Sequence, residues 1–424
     1  MKNLPKVLVV GINSWIDNTG INTLINLFGC WDKEKIAQIY TTDSLPNTAI
    51  CDKFFRISEN KVMKSVFKRK IVTGERVYNT EQKKGPDNRI KKRHGIILTW
   101  CREAVWKFGK WKTRALDEFI EEFKPDVLFM PLYSSIYMNR LQCYIAKKTG
   151  KPVVVYASDD NYTYRSSAKD PLSLLHRAFL RAKIRKLVKY CKQFIVIAPK
   201  QKEEYDKIFK IDSKIITKGI DFSGLEFKPY KPEYPLKAVY TGKLILGRGE
   251  SLAKIAEAMG KINRDGEKIM LDIYTADQLT EKQKSSLNVN GCAVRGAVSL
   301  TEVENIQSHA DILIFVEGLG EKYKNKARLS FSTKITDYLK SGKCIFAVGD
   351  KNIAPVDYFL KNDSAIVATN ENEITERLSS VCGDNALIEE YARKAFECGV
   401  RNHEKSKMDA LLKNCICGVM DKDE

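Results

Sequence analysis

Nowhere in the 424 residues does an apolar run approach the roughly 20 needed to span a bilayer as a helix, so no transmembrane helix is expected. Histidine is scarce, at four residues, which leaves little material for histidine-based metal sites. The eleven cysteines are an odd number scattered from Cys30 to Cys417. Their one close pair, Cys415 and Cys417, has no second pair or histidine cluster nearby to complete a zinc site, and a reduced cytoplasmic setting is the expectation. The opening Met1-Lys2-Asn3-Leu4-Pro5-Lys6 leads into Val7-Leu8-Val9-Val10, too short for the apolar region of a signal peptide. No Gly-x-Gly-x-x-Gly follows that strand, which argues against a dinucleotide-dependent dehydrogenase. An RNP, zinc-finger or helix-turn-helix signature is also missing, which argues against nucleic acid as a partner.

What is present is ordinary globular material with an unusual charge. Hydrophobic content of 43% provides ample core, and the length suits two or three domains. The formal charge is +19, and the stretch 61–114 alone holds 17 basic against four acidic residues, about +13 of that excess. A local patch of this kind points to an anionic partner (nucleic acid, an acidic membrane surface or a phosphorylated substrate) or to a merely solvated face. A second basic run, 177–192, has seven basic residues and no acidic ones, and is read as a surface helix open to phosphate or lipid contact.

Short apolar runs alternate with longer amphipathic ones almost throughout, the pattern of an α/β fold with parallel strands. Strands are expected at 6–10, 127–130, 153–156 and 194–197, and again at 238–240, 270–274, 293–295, 312–316 and 344–347. Between the halves, 227–235 holds three prolines in nine residues and reads as a stiff connector. The domains are therefore expected at 1–226 and 236–387, with 388–424 as one or two helices feeding no strand. On a helical wheel, residues 96–123 gather Ile97, Trp100, Ala104, Phe108, Trp111, Ala115 and Phe119 in one stripe. That stripe is expected to face the core. Trp106 falls opposite, among Arg102, Lys110 and Thr113, and suits a membrane–water interface or packing beneath a loop.

In a doubly wound sheet, ligands sit at the carboxyl ends of strands, where loops and helix starts present backbone N–H groups. Three loops of the second half qualify. Thr241-Gly242-Lys243 runs on to Gly247-Arg248-Gly249; its glycines permit close approach, and Lys243 and Arg248 supply charge for a diphosphate. Ser332 or Thr333 can cap a helix that Lys334 continues and Gly342 ends, its first N–H groups turned to the cleft. Asp337, one turn in, can accept hydrogen bonds from the vicinal hydroxyls of a ribose or can simply complement the helix dipole. Glu317-Gly318 sets a carboxylate at the end of the strand 312–316.

These residues resemble the two-domain Rossmann-like glycosyltransferases with the GT-B fold, particularly the retaining family four. Gly242-Lys243 and Arg248-Gly249 are similar to that family's Gly-Arg and Lys-Gly pairs. Glu317-Gly318 and Ser341-Gly342-Lys343 resemble the two ends of its paired-glutamate signature, with Asp337 at the second glutamate and extra residues around 321–329. Lys218-Gly219-Ile220-Asp221 resembles the element closing the first domain, and Arg295-Gly296-Ala297-Val298 the loop against the nucleobase. The segment from Gly11 to Gly20, with Asn13, Asn18 and Thr19, resembles the first loop over the sugar phosphate.

The resemblance implies two Rossmann-like domains facing across a cleft, the terminal helices crossing back to brace the first. It implies transfer of a sugar from a nucleoside diphosphate to a glycan or lipid-linked acceptor, with retention, and without an obligatory metal or other cofactor. Lys243, Arg248 and the amides at 332–334 would take the metal's place. The first half would then bind the acceptor. There Asp159 and Asp160, after the strand 153–156, either orient and deprotonate an acceptor hydroxyl or form a turn. A nucleotide-sugar epimerase of the same fold, and a basic nucleic-acid-binding protein, are the competing readings.

Overall fold

The structure, a computed structural model, describes residues 4–17, 23–68, 70–80, 95–289 and 291–420. They fall into two compact units. One comprises the chain up to Ile197, Lys202–Ile216 and the stretch from Asp409 on; the other comprises Ala198–Gln201 and Thr217–Met408. Of the two terminal helices, Asn385–His403 thus lies in the second unit, while most of Lys405–Cys417 goes with the first.

The first unit is built on an eight-stranded sheet of β1 (Val7–Val10), β2 (Ile36–Tyr40), β3 (Lys53–Ile57), β4 (Gly74–Val77), β5 (Val127–Pro131), β6 (Val153–Ala157), β7 (Cys191–Val196) and β8 (Lys214–Ile215). Their order is β4-β3-β2-β1-β5-β6-β7-β8, parallel except where β4 runs against β3. β1, β2, β5 and β6 are buried along their whole length, which is why they are rich in Val, Ile and Leu without alternation.

The second unit carries a six-stranded, wholly parallel sheet of β9 (Leu236–Thr241), β10 (Ile269–Tyr274), β11 (Cys292–Gly296), β12 (Ile312–Val316), β13 (Cys344–Val348) and β14 (Ile366–Ala368). Its order, β11-β10-β9-β12-β13-β14, reverses direction between β9 and β12. Loops leaving those two neighbours diverge to opposite faces and open a crevice at their carboxyl ends. The helix Arg248–Ile262 covers one face through Leu252, Ile255 and Met259, which share a core with Leu271, Ile273 and Ile314. His403 braces this unit: its ring bonds Thr217 Oγ1 at 2.7 Å and the Tyr358 hydroxyl at 2.8 Å.

One expectation is reversed. Residues 96–123 are not a single core-facing helix but two, Ile96–Phe108 and Arg114–Phe123, broken at Gly109 and restarted by Thr113, whose side chain caps the Leu116 N–H. On the first helix the apolar stripe points outward, with Ile97 67% and Phe108 69% exposed. Trp106, for which a membrane interface and internal packing were both open, is 1% exposed and stacks on Tyr137 at 4.4 Å between centroids, so it belongs to the interior. The inward face is held by chemistry that a wheel does not weigh. Glu103 accepts from the Ile136 and Tyr137 N–H groups, both at 2.7 Å, capping the helix Ile136–Thr149 in place of its own Ser135. The basic stretch is also less free than its charge implies. Lys61 and Arg56 bind Glu75, Arg76 binds Glu122, Arg102 binds Glu59 and Arg114 binds Glu118. Arg69 and the basic residues between Lys83 and Arg93 lie outside the described residues.

Candidate functional site

The carboxyl ends of β9 and β12 gather most of the charged candidates of the second unit. Gly242, at φ 143°, turns the chain where β9 ends, and a Cβ there would fall on the Lys334 ammonium. Only glycine both takes that conformation and leaves the space. Lys334 lies 4.5 Å over the ring of Tyr240 and 3.5 Å from its hydroxyl. Tyr240 is itself fixed by donating to the Lys243 carbonyl at 2.7 Å. Burial, reinforced by the neighbouring Arg248, pulls the Lys334 ammonium down to about 8; the Glu317 carboxylate offsets part of this. Lys243 itself points to solvent.

Arg248 begins its helix after Gly247, held at φ 80°, and is not a free cation. It grips Glu317 with two nitrogens, at 2.7 and 3.2 Å, and the glutamate is only 3% exposed. Burial works against the Arg248 charge, but the Glu317 carboxylate more than offsets it and holds the guanidinium above its ordinary value. Ser251 Oγ donates to the Glu317 carbonyl at 2.8 Å and pins the strand end from below. The expected open carboxylate at Glu317 is thus one half of a buried ion pair. The residues around 321–329 include the helix Glu321–Ala327, whose Tyr323 ring packs over Gly247 and Gly318 while its hydroxyl donates to Glu250 at 2.8 Å.

Next to these, Ser332 stands at the N-cap of the helix Thr333–Lys340 in extended conformation, yet its side chain makes no cap bond. Neither does that of Thr333, so the expected capping hydroxyl is missing and the Thr333 and Lys334 amides begin the helix without one. Asp337, one turn on, accepts from Lys218 Nζ at 2.6 Å. Gly296 ends β11 at φ 87°, and nothing lies within 4 Å of the point where a Cβ would stand, an open place on the sheet's far side. Asn18, Thr19 and Gly20 lie outside the described residues.

In the first unit, Asp160 behaves as a turn residue. Its carboxylate accepts from the Thr163 N–H at 2.8 Å, the Tyr162 N–H at 3.3 Å and the Thr163 hydroxyl, and it is buried. Asp159 beside it is exposed. Tyr240, Tyr323 and the pairing of Lys218 with Asp337 are the parts of these arrangements that sequence reasoning passed over. A tyrosine directly before Thr241-Gly242 was the available signal for the first, Tyr323 had none, and Lys218 stood out only as part of the element closing the first domain. Among the described residues no group of three His, Cys, Asp or Glu is placed to hold a metal ion.

No protein-family model matches this sequence, and no curated protein sequence does either. Solved structures do match over nearly the whole chain. Sucrose-phosphate synthase from Thermosynechococcus elongatus aligns with a TM-score of 0.62 at 8% identity, covering 98% of this chain and 99% of that one. HepE of Anabaena in complex with UDP aligns at 0.60 and 9%, covering 97% and 100%. A UDP-forming trehalose-phosphate synthase from Burkholderia vietnamiensis aligns at 0.59 and 7%, covering 100% and 99%. The chain has the GT-B fold of these glycosyltransferases. At such identities the likeness is one of fold.

Proposed function

We propose that this protein is a glycosyltransferase that takes a sugar from a nucleoside diphosphate and passes it, with retention, to a glycan or lipid-linked acceptor in surface polysaccharide or glycolipid synthesis. The observation that carries the reading is Lys334: a desolvated ammonium over Gly242 and beside a helix start, with no carboxylate of its own among the described residues. A cation held against its solvation preference at the crevice of a doubly wound sheet is suited to an incoming anion. In this reading Lys334, Lys243 and the first amides of the helix Thr333–Lys340 hold the diphosphate and stabilise the charge that builds on it as the glycosidic bond breaks, with no obligatory metal. Arg248, clamped by Glu317, stays off the diphosphate and acts through Lys334, whose ammonium its charge helps to depress. Asp337 takes the ribose hydroxyls by exchanging Lys218 for them, and Gly296 leaves room for the base. Asp159, exposed where Asp160 is not, is the better candidate to meet an acceptor hydroxyl.

The nucleotide is proposed to be uridine-based, because structures of this fold include complexes with UDP and with UDP-glucose. Thermal melting with UDP, GDP, CDP and ADP tests this. A ligand at 100 times its Kd adds roughly 2.7 kcal/mol, and UDP is expected to give the largest shift. Product analysis of a UDP-sugar with and without an acceptor then separates transfer from epimerisation. Failure of all four nucleotides to shift the melt would end the reading.

A further inference from the structure

Two neighbouring helices of the first unit present apolar residues outward. On Ile96–Phe108 the exposed side includes Ile97, Leu98, Cys101, Ala104 and Phe108. On Pro171–Val188 it includes Leu172, Leu175 and Phe179, the last 52% exposed. Trp100 joins the two, its ring 6.0 Å from that of Phe179 and its Nε1 donating to the Leu172 carbonyl at 3.3 Å. Scattered exposed leucines mean little, but a continuous two-helix face marks an interaction surface.

Apart from Asp170, which caps the helix Pro171–Val188 through the Ser173 N–H at 2.9 Å, the exposed charge on these two helices is basic. Leu175, Phe179, Ala182 and Lys186 follow one another at helical spacing and are all exposed, so the stripe passes from apolar to basic along one helix. Next to it lies an open groove lined by Arg181, Arg185, Lys186 and Lys189 with Tyr164 and Tyr190. Arg181 is stacked 4.1 Å from the Tyr162 ring, and Arg185 donates to the Tyr162 hydroxyl at 2.6 Å, so these cations are held in place by aromatics rather than by acids. The helix Pro171–Val188 contains no acidic residue, and the one acid of Ile96–Phe108, Glu103, is buried and bonded to amides. Two copies meeting through this face would set unpaired cations against each other, which disfavours a symmetric dimer.

We propose that this face docks the protein on an anionic bilayer surface, Ile97, Leu175 and Phe179 entering the interface and the Arg181–Lys189 groove receiving lipid phosphates. An apolar stripe flanked by lysines and arginines is the arrangement that lies in a membrane plane. Its two helices overlap the basic stretches 61–114 and 177–192, but the residue that meets the bilayer is not Trp106, which is buried. Such docking goes beyond the transferase reading and does not need it: vesicle binding requires neither donor nor acceptor.

The full chain is tested by co-sedimentation with vesicles of phosphatidylcholine alone or mixed with phosphatidylglycerol. Binding is expected to the mixed vesicles only, and is expected to vanish in 1 M salt, where the Debye length falls to about 3 Å from about 10 Å at 0.1 M. Ile97→Ser with Phe179→Ser should weaken it about tenfold, and Lys186→Glu about fivefold or more. All three sites are exposed, so unchanged melting temperatures are expected, and Lys186→Glu serves alone should the serine pair melt early. Equal pelleting with neutral vesicles, or binding that survives every substitution, overturns the proposal. So does a protein that ignores anionic vesicles but self-associates through Phe179 in analytical ultracentrifugation.

Discussion

Replacing Lys334 by methionine should push stability and ligand affinity in opposite directions. The ordinary lysine value is 10.5, and burial beside Arg248 lowers it to about 8 in the folded chain. Between those values the unfolded chain holds the proton and the folded one sheds it. The penalty is therefore fully present below pH 8 and fades as the pH rises toward 10.5. At neutral pH it amounts to roughly 3 kcal/mol. Methionine keeps the stem over Tyr240 and removes the charge, forfeiting a cation–π contact of about 1 kcal/mol. The ligand-free variant should then melt higher by several degrees at pH 7, at about 2–4 °C per kcal/mol for a unit of this size. The same change removes a charge-assisted contact worth about 1.5–3 kcal/mol to a phosphate, so UDP affinity should fall ten- to a hundredfold. In the wild type, affinity should decline as the pH passes 8, because the ammonium that the anion requires is lost. Scanning fluorimetry with and without UDP, between pH 6.5 and 10, reads all three quantities. A variant that melts lower without ligand and binds UDP as before would make Lys334 a packing residue and remove the support it gives to an anion site.

Arg248→Ala should cost about 3–5 kcal/mol by leaving Glu317 buried and uncompensated, with Arg248→Met plus Glu317→Gln recovering most of the melting temperature; a single variant as stable as wild type contradicts the pairing. Asp337→Ala removes a half-exposed ion pair, so it should change stability by no more than about 1 kcal/mol. It should weaken UDP more than 2′-deoxy-UDP in calorimetry, and equal losses would reduce Asp337 to a partner for Lys218. His403 is buried and neutral, its ring pulled down to about 4 by desolvation. The stability it protects is complete above pH 6.5 and drains away as the pH falls toward 4. His403→Gln should flatten that acid limb of the melting curve, and an unaltered limb assigns acid sensitivity elsewhere.

Much of the fold could be read from composition because its central strands are buried on both faces. Val7-Leu8-Val9-Val10 and Val153-Val154-Val155 have no polar residue to confuse the pattern. β2 and β3 escaped for the opposite reason. Gln38 interrupts β2 and is buried only because its amide donates to the Asn13 carbonyl at 2.9 Å, while Lys53 and Arg56 flank the apolar centre of β3. The reversed helix Ile96–Phe108 shows a different limit. A wheel finds the apolar side but not which side is inward, and here Trp106, Glu103 and the Tyr137 stack outweigh the four stripe residues Ile97, Trp100, Ala104 and Phe108. Site residues were visible as types in loops, whereas their pairings were not. Glu317 and Arg248 are 69 residues apart, and Lys218 and Asp337 are 119 apart.

Those pairings change how the charge of the site must be counted. Read along the chain, Lys243 and Arg248 are two equal cations awaiting a diphosphate. In the folded unit Arg248 and Glu317 sum to zero, and the positive charge left at the crevice is that of Lys334 and the exposed Lys243. A diphosphate entering there could draw Arg248 away only by stranding Glu317, at a cost of about 3–5 kcal/mol, more than one charge-assisted bond of about 1.5–3 kcal/mol returns. It is cheaper for the anion to lie over Gly242, against Lys334 and the first amides of the helix Thr333–Lys340, with the guanidinium left where it is. Arg248 then acts on Lys334 rather than on the ligand: its charge is part of what depresses the Lys334 ammonium, and that same depression makes the arrival of a negative charge favourable.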